Sequence, residues 1–150
     1  EVVERDDERD AGAGRRALVR CKEGMLRCRT SLAGKEEQKK LRTYVLAICN
    51  GRFFGGGMQV APMARLDDGL FDVVDLGAAP RLRFAAVSTK IYSGTHIQHP
   101  DVKHFRCDRI SIELVNHDVR DRFLLDVDGE PFGRLPITIE VVPRALEVFG

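Results

Sequence analysis

Two acidic elements hold the side chains best suited to chemistry. In Asp126-Val127-Asp128-Gly129-Glu130, the apolar run Phe123-Leu124-Leu125 leads into alternating carboxylates. Strand alternation would place Asp126 and Asp128 on one face, with Gly129 bending the chain next to Glu130. Clustered carboxylates suit a general base or a metal site; as a motif alone, the same residues make a hairpin turn. In Leu66-Asp67-Asp68-Gly69-Leu70, adjacent carboxylates precede a glycine that permits a tight turn. One side chain and nearby carbonyls there can converge on a hard cation such as Mg2+. The alternative is a solvated turn between strands, which Asp and Gly form readily.

A third feature belongs to the backbone. The run Asn50-Gly51-Arg52-Phe53-Phe54-Gly55-Gly56-Gly57-Met58 sets three consecutive glycines among apolar residues. Such a run is a poor strand and a worse helix, so it is expected where backbone must come close to something. The histidines are weaker signals. His96, His99 and His104 straddle Pro100 without matching HxxxH or HxH ligand pairs, and His117 sits in an Asn-His-Asp turn, so surface or loop positions are expected. Cys21, Cys28, Cys49 and Cys107 form no CxxC pair and lie in apolar or strand-like surroundings. Four buried thiols in a reducing cytosol are expected rather than disulfides. Walker, HExxH, GxSxG and GxGxxG motifs are absent from the sequence.

The elements that must position these groups read as strands with one helix. Residues 1–18 are expected as a flexible lead-in, charged up to the break Ala11-Gly12-Ala13-Gly14, and 19–150 as one β-rich domain. A strand over 25–32, a turn through Ala33-Gly34-Lys35 and on to Lys40, and an apolar strand over 44–49 predict a hairpin. The mixed charges of Lys35 to Arg42 then form its solvated tip, with lysines able to touch anionic lipid. A strand over 70–76 precedes a helix begun by Pro80, with Leu82, Ala85, Ala86, Thr89, Lys90 and Ile91 along it and Gly94 as its stop. Short strands follow over 102–106, 110–115, 122–127, 137–142 and 146–149. That spacing predicts a mainly β, α+β fold: an antiparallel sandwich or partial barrel with one main helix.

Composition bounds the function. At 150 residues and 43% hydrophobic, the chain can bury one core. Its 24 Lys+Arg against 23 Asp+Glu make no field that would gather nucleic acid. No apolar run is long enough to span a bilayer, and Glu1 to Asp10 is acidic where a signal peptide would be basic and then apolar. The chain therefore reads as cytoplasmic.

Taken in order, Asn50-Gly-x-x-x-Gly-Gly-Gly-Met58, Ala61-Pro62, Ala64-x-Leu-x-Asp-Gly-Leu70, His99-Pro100-Asp101-Val102, Asp128-Gly-Glu130, Leu135-Pro136 and Ala145-Leu146 resemble one family. They are similar to the carboxy-terminal half of the diacylglycerol kinase and sphingosine kinase superfamily, in particular its bacterial lipid kinases, over residues 20–150. The resemblance implies the second domain of the NAD kinase/diacylglycerol kinase-like fold, from a two-domain kinase using ATP and Mg2+. An amino-terminal α/β domain with a Gly-Gly-Asp-Gly-Thr motif would supply the nucleotide site. Nothing in this chain matches that motif, so no appreciable turnover is expected of it alone.

The same resemblance implies roles. Asp128 would accept the proton of the lipid hydroxyl, and Glu130 would help hold the nucleotide or its Mg2+. Asp68, with the main-chain carbonyls of Arg65 and Leu70, would match a structural Mg2+ site. Asn50, Gly55, Gly56 and Gly57 would line the substrate cleft. The partners implied are a diacylglycerol-like lipid met at the membrane surface and the amino-terminal domain; a homodimer through exposed strand edges is a further expectation. Two other readings stand beside this one: a non-catalytic β-sandwich that binds lipid or protein, and a relative of the nicotinamide-nucleotide kinases.

Overall fold

Strand β1 (Gly24–Leu32) alternates as a half-buried strand should, with Leu26, Cys28 and Thr30 turned inward and Met25 and Arg29 outward. The computed structural model describes residues 23–121, 123–143 and 145. The expected lead-in, Cys21, Arg122 and the strand expected over 146–149 lie outside the described residues.

Strand β2 (Lys35–Thr43) pairs with β1 along its whole length, Leu32 opposite Lys35 and Gly24 opposite Thr43. This corrects the expected hairpin. The polar run is itself the second arm, joined by the two residues Ala33-Gly34, and the apolar 44–49 segment is not its partner. Periodicity failed here because β2 is an edge strand that buries only Leu41 and Thr43. Charged residues on an edge strand also block pairing with foreign strands. Strand β3 (Leu46–Cys49) instead pairs with β4 (Phe71–Asp75), and β4 with β5 (Lys103–Cys107).

Strand β6 (Arg109–Leu114) lies beside β1, and β9 (Ile137–Glu140) beside β6. The result is a four-stranded antiparallel sheet in the order β2-β1-β6-β9 facing a three-stranded sheet β3-β4-β5. Leu26, Leu41, Ile110 and Ile112 of the first sheet pack with Leu46, Ile48, Val73 and Cys107 of the second. A separate hairpin of β7 (Leu124–Val127) and β8 (Glu130–Arg134) seals one end with Phe123, Leu125 and Leu135. The expected antiparallel sandwich with one main helix is what the chain forms. Apart from β2 and β8, which were not expected as strands, the expected strand bounds hold to within two residues among the described residues.

Helix α1 (Arg81–Thr89) and the 50–64 loop cover the outer face of the three-stranded sheet. The buried side of the helix is Phe84, Val87 and Ile91, with Phe84 edge-on to Tyr44 at 5.2 Å. Leu82 is 90% exposed and Ala86 is exposed, so the expected apolar stripe was rotated. The spacing 84, 87, 91 is equally helical, and only the sheet beneath decides between the two. Gly94 does not stop the helix, which ends at Thr89; with φ +69° it starts a short 3-10 turn over Thr95–Gln98.

That turn carries a second correction. His96 is fully buried, and its Nε2–H donates to the carbonyl of Val60 at 2.9 Å. Burial pulls its pKa down, so the ring is neutral and serves as a strut between the 3-10 turn and the 50–64 loop. Cys28, Cys49 and Cys107 are buried free thiols, as expected. Burial pushes Cys28 up to about 12 and Cys49 and Cys107 up to about 11, which leaves all three without thiolate character near neutral pH.

Candidate functional site

Asp128 stands at the tip of the β7–β8 hairpin. Asp128 and Gly129 have φ of +52° and +89°, the pair of positive values that defines the tight primed turns suited to twisted strands. This places Asp128 beyond the strand. It does not share a strand face with Asp126, because β7 ends at Val127 and the pairing shifts between Leu125 and Asp126. The hairpin reading of the motif is the geometric one, and it leaves the Asp128 carboxylate exposed.

Asp128 lines a cavity of about 430 Å³, together with Asn50 and Gly51. Phe53, Phe71 and Ile139 give the same cavity an apolar wall. The join is made by tertiary structure, since Asn50 follows β3, Ile139 lies in β9 and Asp128 caps a third sheet. An apolar wall facing a few oxygen atoms suits a ligand with a hydrocarbon part and a hydroxyl. Phe53 is 63% exposed and Val142 71% exposed at the rim.

The triglycine follows immediately. Phe54 N–H donates to Met58 O at 2.8 Å, closing a small loop over Gly55–Gly57 in which Gly56 and Gly57 have φ of +68° and +82°. Those angles explain two of the three glycines by backbone conformation alone. Among the described residues, a Cβ built at any of the three would meet no heavy atom within 4 Å, so the expected close approach is not seen there. Glu130 begins β8 and is exposed; it stands next to the tip without lining the cavity.

The Asp68 turn sits at the flank of this site. A Cβ on Gly51 would lie 3.5 Å from Leu66 Cδ2, so the 65–70 loop backs onto the cavity wall. Asp68 Oδ1 accepts from the Leu70 amide at 3.1 Å, and Oδ2 is paired with Arg106. Arg106 Nε also lies 3.6 Å from Asp72 Oδ1, which accepts from His104 Nε2 at 2.7 Å. Asp72 is 1% exposed, and its Oδ2 has no hydrogen-bond partner. Sequence reading missed this Asp68–Arg106–Asp72–His104 network. A signal was present: an Asp inside the apolar strand Phe71-Asp72-Val73-Val74 must be paired when buried.

The sequence profile of the YegS C-terminal NAD kinase beta sandwich-like domain matches residues 13–150. The chain belongs to that family. It is 32% identical over 101 residues to "Probable lipid kinase YegS-like" of Shewanella frigidimarina, covering 67% of this chain and 31% of that protein. It is 29% identical over 103 residues to a diacylglycerol kinase of Bacillus subtilis, covering 69% of this chain and 32% of that protein. The chain thus spans about a third of the length of the curated relatives it matches. A crystal structure of a diacylglycerol kinase from Bacillus anthracis shares the fold at a TM-score of 0.57 and 18% identity, over 85% of this chain and 42% of that one.

For this YegS-type domain, the resemblance to diacylglycerol kinases and the β-sandwich it implied both hold. The fit to Mg2+ is a matter of donor chemistry. Asp68 and the carbonyls of Arg65 and Leu70 offer only oxygen, which suits a hard cation. Asp68 already carries an ion pair with Arg106. The Arg65 side chain turns to Asp67 at 3.2 Å, which holds the Asp67 carboxyl below the usual carboxylate range. Among the described residues no group of three or more His, Cys, Asp or Glu gathers as a metal cluster. None of the described helices is long and apolar enough to cross a membrane.

Proposed function

We propose that this chain is the carboxy-terminal domain of a lipid kinase that transfers the γ-phosphate of ATP to the hydroxyl of a diacylglycerol-like acceptor. One observation supports the reading above the others. Asp128 is held at an exposed hairpin tip that shares a cavity with Asn50 and an apolar wall. A carboxylate residue at the mouth of a pocket with an apolar wall fits a site that works on a ligand.

The acceptor's alkyl portion lies against the wall formed by Phe53, Phe71 and Ile139, and its hydroxyl faces Asp128. The hydroxyl oxygen bonds to the γ-phosphorus as the bond to the bridging oxygen of ADP breaks, and the hydroxyl proton passes to the Asp128 carboxylate. A carboxylate suffices, because this reaction is driven chiefly by positioning and charge neutralisation. Glu130, beside the tip, helps hold the nucleotide or its Mg2+. Asn50 and the Gly55-Gly56-Gly57 loop form the cleft edge, where the missing side chains admit substrate to the backbone. Asp68 with the carbonyls of Arg65 and Leu70 would hold a structural Mg2+, which would supply fixed positive charge.

The remaining parts come from outside this chain. An amino-terminal domain supplies the nucleotide site, the kinase works in the cytoplasm, and it meets its acceptor peripherally at the membrane surface. A second copy can pair along an exposed strand edge other than the charged β2. The decisive experiment uses the full-length protein with Asp128→Asn and Mg·ATP. Loss of lipid phosphorylation supports the reading; a near-parental rate sinks it. The isolated 150-residue chain is expected to show no appreciable turnover, and measurable ATP-dependent lipid phosphorylation by it would defeat that expectation.

A further inference from the structure

The tip that carries Asp128 has little sheet to hold it. Its strands are four and five residues long, they pair only with each other, and every residue of β8 is exposed. Two-stranded hairpins of this size are marginal in water. The ladder is weakened further beside the tip, where Asp126 sits opposite Pro131 and Leu125 opposite Gly133. Pro131 has no N–H to donate, and the register shift leaves the ladder interrupted at that point. Asp128 holds φ +52°, a conformation that Asp adopts more readily than most non-glycine residues but that depends on the turn around it staying in place.

Besides the Val127–Glu130 pair that brackets the turn, a side-chain contact closes the tip from within. The Gly129 amide donates to Asp126 Oδ1 at 2.9 Å, spanning the turn from the last part of β7 to its second residue. A carboxylate acceptor makes this bond stronger than one between neutral groups. Asp126 is half-buried, so its side chain is held more firmly than that of a fully exposed residue.

We propose that Asp126 is a positioning residue for phosphoryl transfer: by accepting from the Gly129 amide, it fixes the turn that aims Asp128 into the cavity. The inference rests on the assignment of Asp128 as the base. Asp126 itself takes no proton and touches no substrate. Its influence falls on the chemical step, because a displaced base slows reaction without altering nucleotide contacts made elsewhere.

In the full-length kinase, Asp126→Ala is expected to lower kcat about 10-fold to 100-fold while the KM for ATP changes by less than about twofold. Asp126→Asn keeps an oxygen that can accept from Gly129, and it should return kcat to within about threefold of the parent. A parental kcat in Asp126→Ala overturns the proposal, as does an Asn variant as slow as the Ala variant. Hydrogen exchange at the Gly129 amide gives a readout free of catalysis: slow in the parent and in Asp126→Asn, fast in Asp126→Ala. Equal exchange in all three also overturns it. Asp128→Asn separates the two claims. If that variant is inactive while Asp126→Ala runs at the parental rate, the base stands and the positioning role falls; if it stays active, both fall.

Discussion

The Ala33-Gly34 and Asp128-Gly129 tips are built on the same backbone. The first pair has φ of +51° and +78°, the second +52° and +89°, and Ala33 and Asp128 are the non-glycine residues with positive φ among those described. Both tips are also pinned by a carboxylate, Ala33 N–H donating to Asp108 Oδ2 at 2.9 Å and Gly129 N–H to Asp126 Oδ1 at 2.9 Å. The difference lies in what surrounds them. The first tip ends two nine-residue strands inside a four-stranded sheet and projects into solvent. The second ends a short, separate hairpin and overhangs a cavity lined by Asn50 and Phe53. Turn geometry is therefore common to both tips; the role proposed for the second rests on its aspartate and on the cavity beside it.

Charge chemistry gives the largest test of that contrast. Asp128→Asn in the full-length kinase should cut turnover by about 10²-fold to 10⁴-fold, the range spanned by general-base removal. Ala33→Asp places a carboxylate on the matching backbone and should leave turnover unchanged, since no cavity faces it. Steady-state rates of the two variants check both halves, and a slow Ala33→Asp enzyme would break the comparison.

Backbone strain should treat the tips alike. Neither Gly34 nor Gly129 has a neighbour within 4 Å of a built Cβ, so substitution costs conformation and not space. Gly34→Ala and Gly129→Ala should each destabilise the domain by about 1–2 kcal/mol in urea unfolding. Only Gly129→Ala should also slow turnover. Removing the pin at the first tip, Asp108→Ala, should cost about 0.5–1.5 kcal/mol of stability with no change in rate. Unfolding and rate measured together would show whether the pins differ in consequence, as argued for Asp126.

The smallest effect concerns pH and the base of the first hairpin. Burial pushes the Asp75 carboxyl above its ordinary value, partly offset by bonds from Thr43 and Gly77 and by Lys103. With the folded pKa raised, the native state binds the proton more tightly than the unfolded chain. Its contribution to stability is complete below about pH 4 and is lost as pH rises through the folded value. Asp75→Asn should flatten that decline in unfolding midpoints measured from pH 4 to pH 7. An unchanged slope would remove Asp75 from the account.

The fold was legible where residues alternate. Val73 and Val74, Ile110 and Ile112, and Leu26 and Cys28 announce strands that bury one face or two, and those strands form as expected. Reading failed at β2, where Lys35 to Lys40 obey solvent and not a core, and at α1, where two faces of similar apolarity competed. His96 was misplaced for a related reason. Its neutral ring satisfies Val60 from a distant loop, and no local spacing announces such a partner.

Sequence alone determined the family, the antiparallel sandwich and the residues from which a site could be made, because ordered motifs, alternation and turn chemistry are local properties. Tertiary structure decided which of those residues meet. It brought Asp128 and Asn50 to one cavity from separate elements, set Asp68 against Arg106, and left the Cβ positions of the triglycine loop without neighbours among the described residues. Such meetings depend on strand order and core packing, which are properties of the whole chain and have no signature in any one stretch of it.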